Sequence, residues 1–130
     1  MSIVRARAAF RKLHADGCFV IPNPWDIGTA RYLRHCGFWA LATTSSGAAF
    51  GMGLPDTDWA VTRDAMLAHI RTIVEATELP VNADFESGYA HRPDDVAENV
   101  RLCVETSRAA LKTVLLYCAT AASSWALLTP

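Results

Sequence analysis

Asp84 and Glu86 stand two residues apart in the stretch Ala83-Asp84-Phe85-Glu86-Ser87-Gly88-Tyr89. A short apolar run, Leu79-Pro80-Val81, leads into them, and a helix-starting signal, Pro93-Asp94-Asp95, follows. On an extended strand, residues i and i+2 point to the same side, so both carboxylates could reach one divalent ion. A hard cation such as Mg2+ takes one or two carboxylates from a protein and completes its shell with water and substrate. The same residues also read as a strand that ends in a polar turn, with both acids solvated and Gly88 supplying the turn. The D-x-E-x-G spacing alone does not choose between the two.

The elements that would position these acids alternate along the chain. Cys18-Phe19-Val20-Ile21-Pro22, Phe38 to Thr43, and residues 80–84 are short apolar runs that read as strands. Asp26 is placed to cap a helix running to about Cys36, with Ile27, Ala30 and Leu33 on one face and Gly37 as its stop. Thr62 or Asp64 opens a second helix, with Met66, Ile70, Ile73, Val74 and Thr77 at helical spacing. Pro93 suits the first turn of a third, whose buried stripe would be Val96, Val100, Cys103 and Val104. Between the second run and the Thr62 signal lies Thr44 to Ala49, which reads as a small-residue loop.

Continuous apolar strands between amphipathic helices imply an α/β fold with a parallel sheet. A doubly wound sheet and a (β/α)8 barrel both fit, and in either the ligand sits at the carboxyl ends of the strands. Asn23 to Asp26, Thr43 to Gly47, and Asp84 with Glu86 all fall on that rim. Three polar clusters on one rim favour a site over a solvated turn. Trp25 and Tyr89 are candidates for pocket walls, Trp39 for packing inside the strand, and Trp59 for a loop anchor.

With 130 residues the chain is one modest domain, short for most catalytic folds. Its formal net charge of -1 and lack of charge blocks suggest no nucleic-acid partner and no membrane partner. Cys18, Cys36, Cys103 and Cys118 are scattered without a CxxC, and His14, His35, His69 and His91 share no metal-like spacing. Reduced thiols and a cytoplasmic location are the expectation, with Cys18 and Cys103 as small buried apolar groups. Residues 1–14 read as a short amphipathic helix.

Four segments together resemble the isocitrate lyase/phosphoenolpyruvate mutase superfamily, most closely its carboxyvinyl-carboxyphosphonate phosphorylmutase or 2-methylisocitrate lyase-like branch. They are Phe19-Val20-Ile21-Pro22-Asn23-Pro24-Trp25-Asp26, Ala42 to Gly47, Gly53-Leu54-Pro55-Asp56, and Val81 to Tyr89. The resemblance runs over about residues 8–106. It implies the N-terminal half of a (β/α)8 TIM-type barrel with parallel strands. It also implies a lyase or phosphonomutase acting on C–C or P–C bonds of small 2-keto-acid-related carboxylates. By the resemblance, Asp84 and Glu86 ligate Mg2+, with Mn2+ as a substitute, and Asp56 supports the ion through water. Thr44, Ser45, Ser46 and Gly47 match the loop that holds the substrate carboxylate. No residue is singled out as the catalytic acid or base. A family-like homo-oligomer is a further expectation.

The likeness breaks off near Thr106, so the chain reads as residues 1–106 of a barrel half followed by a divergent tail, residues 107–130. No acid follows Glu105, although the family pattern expects one on a fourth strand. Leu111 to Leu116 is β-compatible and could serve as that strand. The uncharged stretch Val114 to Leu128 falls short of a membrane span. A frameshifted tail is the third reading. A half-barrel would be inactive alone and would self-associate through its exposed strand edge; the alternative is a fragment that only binds or assembles.

Overall fold

The structure, a computed structural model, describes residues 3–108 and 114–117. Helix α1 (Ile3–Leu13) is followed by α2 (Ile27–His35), β1 (Leu41–Ala42), α3 (Ser45–Gly51), α4 (Arg63–Ala76), β2 (Val81–Asp84), α5 (Pro93–Arg108) and β3 (Val114–Tyr117). The strands form one parallel sheet in the order β1-β2-β3. β2 is central, with Leu41 beside Val81 on one side and Val81 beside Val114 on the other. β3 lies within the Leu111 to Pro130 portion, whose remaining residues fall outside the described ones, as does Cys118.

The helix boundaries follow local chemistry. Asp26 caps α2 by accepting from the Thr29 amide at 2.6 Å, and Gly37, at φ +90°, ends the helix in the left-handed region. Thr62 caps α4 through the Ala65 amide at 3.4 Å. α4 packs on α2, α3, α5 and β2, and its Met66, Ile70, Ile73 and Val74 are fully buried. Each such side chain contributes roughly 1.5–3 kcal/mol relative to exposure. They join Leu41, Val81, Ala83, Phe85 and Cys103 in the core. Burial pushes the Cys103 thiol up to about 12.

Several expectations fail, each for a local reason. Residues 18–22 do not form a strand. Pro22 and Pro24 offer no amide hydrogens, so the contact to β1 is the single bond from the Ala42 amide to the Pro22 carbonyl, 3.0 Å. Val20 and Cys18 are accordingly exposed. Trp39 precedes β1 and is also exposed rather than packed. The small residues after Thr44 are a helix, not a loop. The Thr44 hydroxyl caps it through the Gly47 amide at 3.1 Å, and Ala48 and Ala49 are buried. On the first helix face Ala30 is buried, whereas Ile27 is exposed.

Candidate functional site

β1 stops at Ala42, and Thr43 continues the link to β2 with its side chain as well as its amide. The buried Thr43 hydroxyl accepts from the Asp84 amide at 2.9 Å, where a longer strand would offer a carbonyl. The Thr43 amide in turn donates to the Asn82 carbonyl at 2.8 Å. This tie sets Asp84 at the carboxyl end of β2 beside the start of α3. Asp84 Oδ2 then accepts from both the amide and the hydroxyl of Ser45, at 2.9 and 2.8 Å.

Glu86 lies beyond the strand. β2 ends at Asp84, and Glu86 adopts φ +46°. Strand alternation therefore does not bring the two acids together; a turn does. The Glu86 amide donates to Asp84 Oδ1 at 3.3 Å, the local bond that aspartate side chains offer in turns. Glu86 Oε2 accepts from the Trp59 amide at 3.0 Å, and Oε1 accepts from the Tyr89 hydroxyl at 2.8 Å.

Among the described residues, the three non-glycine positions at positive φ are Trp59, Glu86 and Tyr89. All three belong to this network. A non-glycine residue held there costs about 1–3 kcal/mol and persists where its surroundings fix it, commonly at functional sites. The surroundings here are specific. Trp59 Nε1 donates to Ser87 Oγ at 3.0 Å, and its ring stacks on Tyr89 with centroids 6.3 Å apart. Trp59 is thus the loop anchor expected of it. Half-burial raises the pKa of the Tyr89 hydroxyl above the usual tyrosine value, aided by its bond to Glu86 and by the charges of Glu86 and Asp84.

Asp84 and Glu86 are both half-buried, and among the described residues the ion pairs lie elsewhere, on Arg63–Asp64 and on Arg101 with Glu98 and Glu105. The two acids, joined by the bond from the Glu86 amide to Asp84 Oδ1, thus carry hydrogen bonds but no cationic partner among the described residues. Asp84 Oδ1 and the two oxygens of Glu86 each accept one hydrogen bond and keep a lone pair, and such hard oxygens suit a divalent cation of the Mg2+ type. Asp56 does not join them in a triad: it is exposed, and among the described residues no three His, Cys, Asp or Glu side chains gather as a metal-holding group. Of the four residues expected on the substrate loop, Ser45 is bound to Asp84 and Thr44 is engaged as the α3 cap. Ser46 Oγ lies 3.4 Å from Thr44 Oγ1. Gly47 is packed so closely that a Cβ there would lie 2.6 Å from Thr44 Cγ2 and 3.0 Å from Trp25 Cβ. Trp25 itself is more than half exposed.

Asn99 and Arg63 are supporting residues not anticipated from the sequence. One signal was available: Asn99 falls on the apolar stripe of α5, between Val96 and Cys103, where a polar side chain needs a partner. Arg63 gave none. Among the described residues no helix is long and apolar enough to cross a membrane.

A profile of the family described as phosphoenolpyruvate phosphomutase matches residues 10–112. A crystal structure of a protein from Burkholderia cenocepacia J2315, assigned as a lyase/mutase, is 54% identical, with a TM-score of 0.75 over 79% of this chain and 36% of that one. The crystal structure of 2,3-dimethylmalate lyase, a PEP mutase/isocitrate lyase superfamily member, is 27% identical, with a TM-score of 0.68 over 82% of this chain and 38% of that one. The uncharacterised protein Rv1998c of Mycobacterium tuberculosis H37Rv is 38% identical over 93 residues, which are 71% of this chain and 35% of that protein. The matched part of this chain therefore covers little more than a third of the length of each of these relatives.

Proposed function

Because the chain belongs to the phosphoenolpyruvate phosphomutase family, we propose that it carries the two-carboxylate part of a divalent-metal site serving lyase or phosphonomutase chemistry. Its three-stranded parallel sheet is part of the α/β, TIM-barrel fold of the PEP mutase/isocitrate lyase superfamily. The substrates of this reading are small 2-keto-acid-related carboxylates, and the bonds acted on are C–C or P–C.

The observation that supports it is that Asp84, at the end of β2, accepts from the Glu86 amide, with both residues half-buried and without a cationic partner among the described residues. These two side chains would hold Mg2+, or Mn2+ in its place, with Asp56 acting through water. When bound, such an ion supplies stabilisation of an enolate oxygen as the substrate bond breaks. The chain's own groups do the positioning. Ser45 fixes one oxygen of Asp84, while Trp59 and Tyr89 hold the two oxygens of Glu86. Thr44, Ser45, Ser46 and Gly47 form the wall where the substrate carboxylate would lie.

In this reading the 130-residue chain binds the metal weakly and does not turn over substrate alone, because a closed, dry site needs walls on every side. A second reading, a fragment that only binds or assembles, draws on the exposed Val20 and on the exposed Trp39, which stands two residues before the edge strand β1. Open strand edges pair with other chains, so self-association through that edge fits it. The purified chain, assayed on 2-keto-acid and 2-methylisocitrate-like substrates with Mg2+ and sized by gel filtration, separates these readings. Metal binding lost in Asp84→Ala without turnover supports the proposal. Mg2+-dependent turnover by a monodisperse monomer contradicts the inactive part, and a chain that self-associates but ignores metal supports the second reading.

A further inference from the structure

Asn99 is 5% exposed, on the face of α5 that packs beneath the Gly88–Tyr89 turn. A buried amide is costly unless both its ends are satisfied. Here both are. Nδ2 donates to the Gly88 carbonyl at 2.8 Å and to the Tyr89 carbonyl at 3.3 Å, while Oδ1 accepts from Arg63 Nη1 at 3.0 Å. The orientation of the amide follows from chemistry: a guanidinium only donates and a carbonyl only accepts, so the reverse placement would face like against like.

The two carbonyls belong to consecutive left-handed residues, Gly88 at φ +81° and Tyr89 at φ +57°. Glycine adopts that region freely; tyrosine does not. Something outside the turn must hold it, and Asn99 bonds to both residues involved. The turn carries Tyr89 back over Glu86, where its hydroxyl donates to Oε1. The other oxygen, Oε2, is held by the Trp59 amide.

We propose that Asn99 is a positioning residue for the Glu86 carboxylate. It fixes the left-handed turn, the turn aims the Tyr89 hydroxyl, and the hydroxyl sets how Glu86 presents its oxygens. Asn99 makes no hydrogen bond to either carboxylate. Its effect on metal affinity rests on the proposed function, whereas its control of Glu86 stands on the hydrogen bonds alone. Two readouts therefore keep the failures apart.

The test uses the full chain with Asn99→Ala, Asn99→Asp, Tyr89→Phe and the Asn99→Ala/Tyr89→Phe double variant. Asn99→Asp keeps the shape and the acceptor toward Arg63 but loses the donor toward the carbonyls, so it serves if the alanine variant fails to fold. The first readout is hydrogen exchange without metal. The Trp59 amide should exchange about tenfold faster in each single variant, while amides of β2 keep their wild-type rates. The second is Mn2+ affinity, which should fall about tenfold, within the range seen when partners behind a metal ligand are removed. The double variant should be no weaker than Asn99→Ala, because both substitutions cut one path. Unchanged Trp59 exchange in folded Asn99→Asp overturns the proposal, and so do losses of Mn2+ affinity that multiply in the double variant. If the wild-type chain holds no Mn2+, the metal reading fails and the exchange rates alone decide the role of Asn99.

Discussion

Replacing Gly88 by alanine should destabilise the protein more than any other single methyl group added in the Glu86–Tyr89 turn. Three effects compete. Gly88 sits at φ +81°, and a Cβ in the left-handed region costs roughly 1–2 kcal/mol. The new methyl would lie 2.8 Å from Val96 Cγ1, and overpacking of that kind costs about 1–3 kcal/mol. Against these, alanine restricts the unfolded chain and returns about 0.4–1 kcal/mol. The net expectation is a loss of about 2–4 kcal/mol, a large part of the roughly 5–15 kcal/mol typical of a folded domain. Gly53→Ala is the internal control. Gly53 has φ +72° but open space where its Cβ would stand, so that variant reports the backbone cost alone. Urea denaturation followed by tryptophan fluorescence measures both. Trimming the neighbour, in Gly88→Ala/Val96→Ala, should recover about 1–3 kcal/mol relative to the sum of the single changes. Equal losses for Gly88→Ala and Gly53→Ala, with no recovery in the double variant, would refute the packing argument.

Gly47→Ala sets helix propensity against packing. Alanine gains about 1 kcal/mol inside a helix, but its methyl would meet Thr44 Cγ2 at 2.6 Å and displace the α3 cap. The lost cap costs about 1 kcal/mol and the crowding about 1–3 kcal/mol, so denaturation should show a net loss. The His69 pKa is lowered by burial of the ring, opposed by the charge of Asp26, and its buried Nε2 has no hydrogen-bond partner among the described residues. The unfolded chain then takes up the proton first. The contribution of His69 is complete above its ordinary value of 6.5 and is lost as pH falls below it. The melting temperature of the wild type should drop between about pH 7.5 and about pH 5.5, and His69→Met should flatten that part of the profile. An unchanged slope would show that His69 carries none of it.

What the sequence disclosed depended on how local the signal was. Caps and stops are short-range chemistry, so Asp26, Gly37, Thr62 and Pro93 marked helix ends correctly. The α4 core residues were legible because a period of 3.6 survives in any tertiary setting. Strand 18–22 was misread because its apolar run says nothing about partners, and Pro22, with Pro24 just beyond, removes donors a ladder needs. α3 was hidden because small residues give no apolar period. At the candidate site, strand alternation was used to join Asp84 and Glu86, but it does not hold past Asp84. A left-handed turn joins them instead, and two of its supports come from far along the chain: Trp59 is 27 residues from Glu86, and Arg63 is 36 residues from Asn99. Asn99 reaches only 10 and 11 residues to Tyr89 and Gly88, yet no spacing rule links a helix face to a turn.

Mn2+ binding, counted by the loss of its free-ion electron paramagnetic resonance signal, tests the central claim most directly. The chain should take up Mn2+ at one weak site that Mg2+ competes for. Asp84→Asn and Glu86→Gln should each weaken it by about tenfold or more, since each removes one of two charged ligands, and Asp56→Asn should weaken it less. Uptake that is unchanged in both Asp84→Asn and Glu86→Gln would contradict the assignment of these two carboxylates to a metal site.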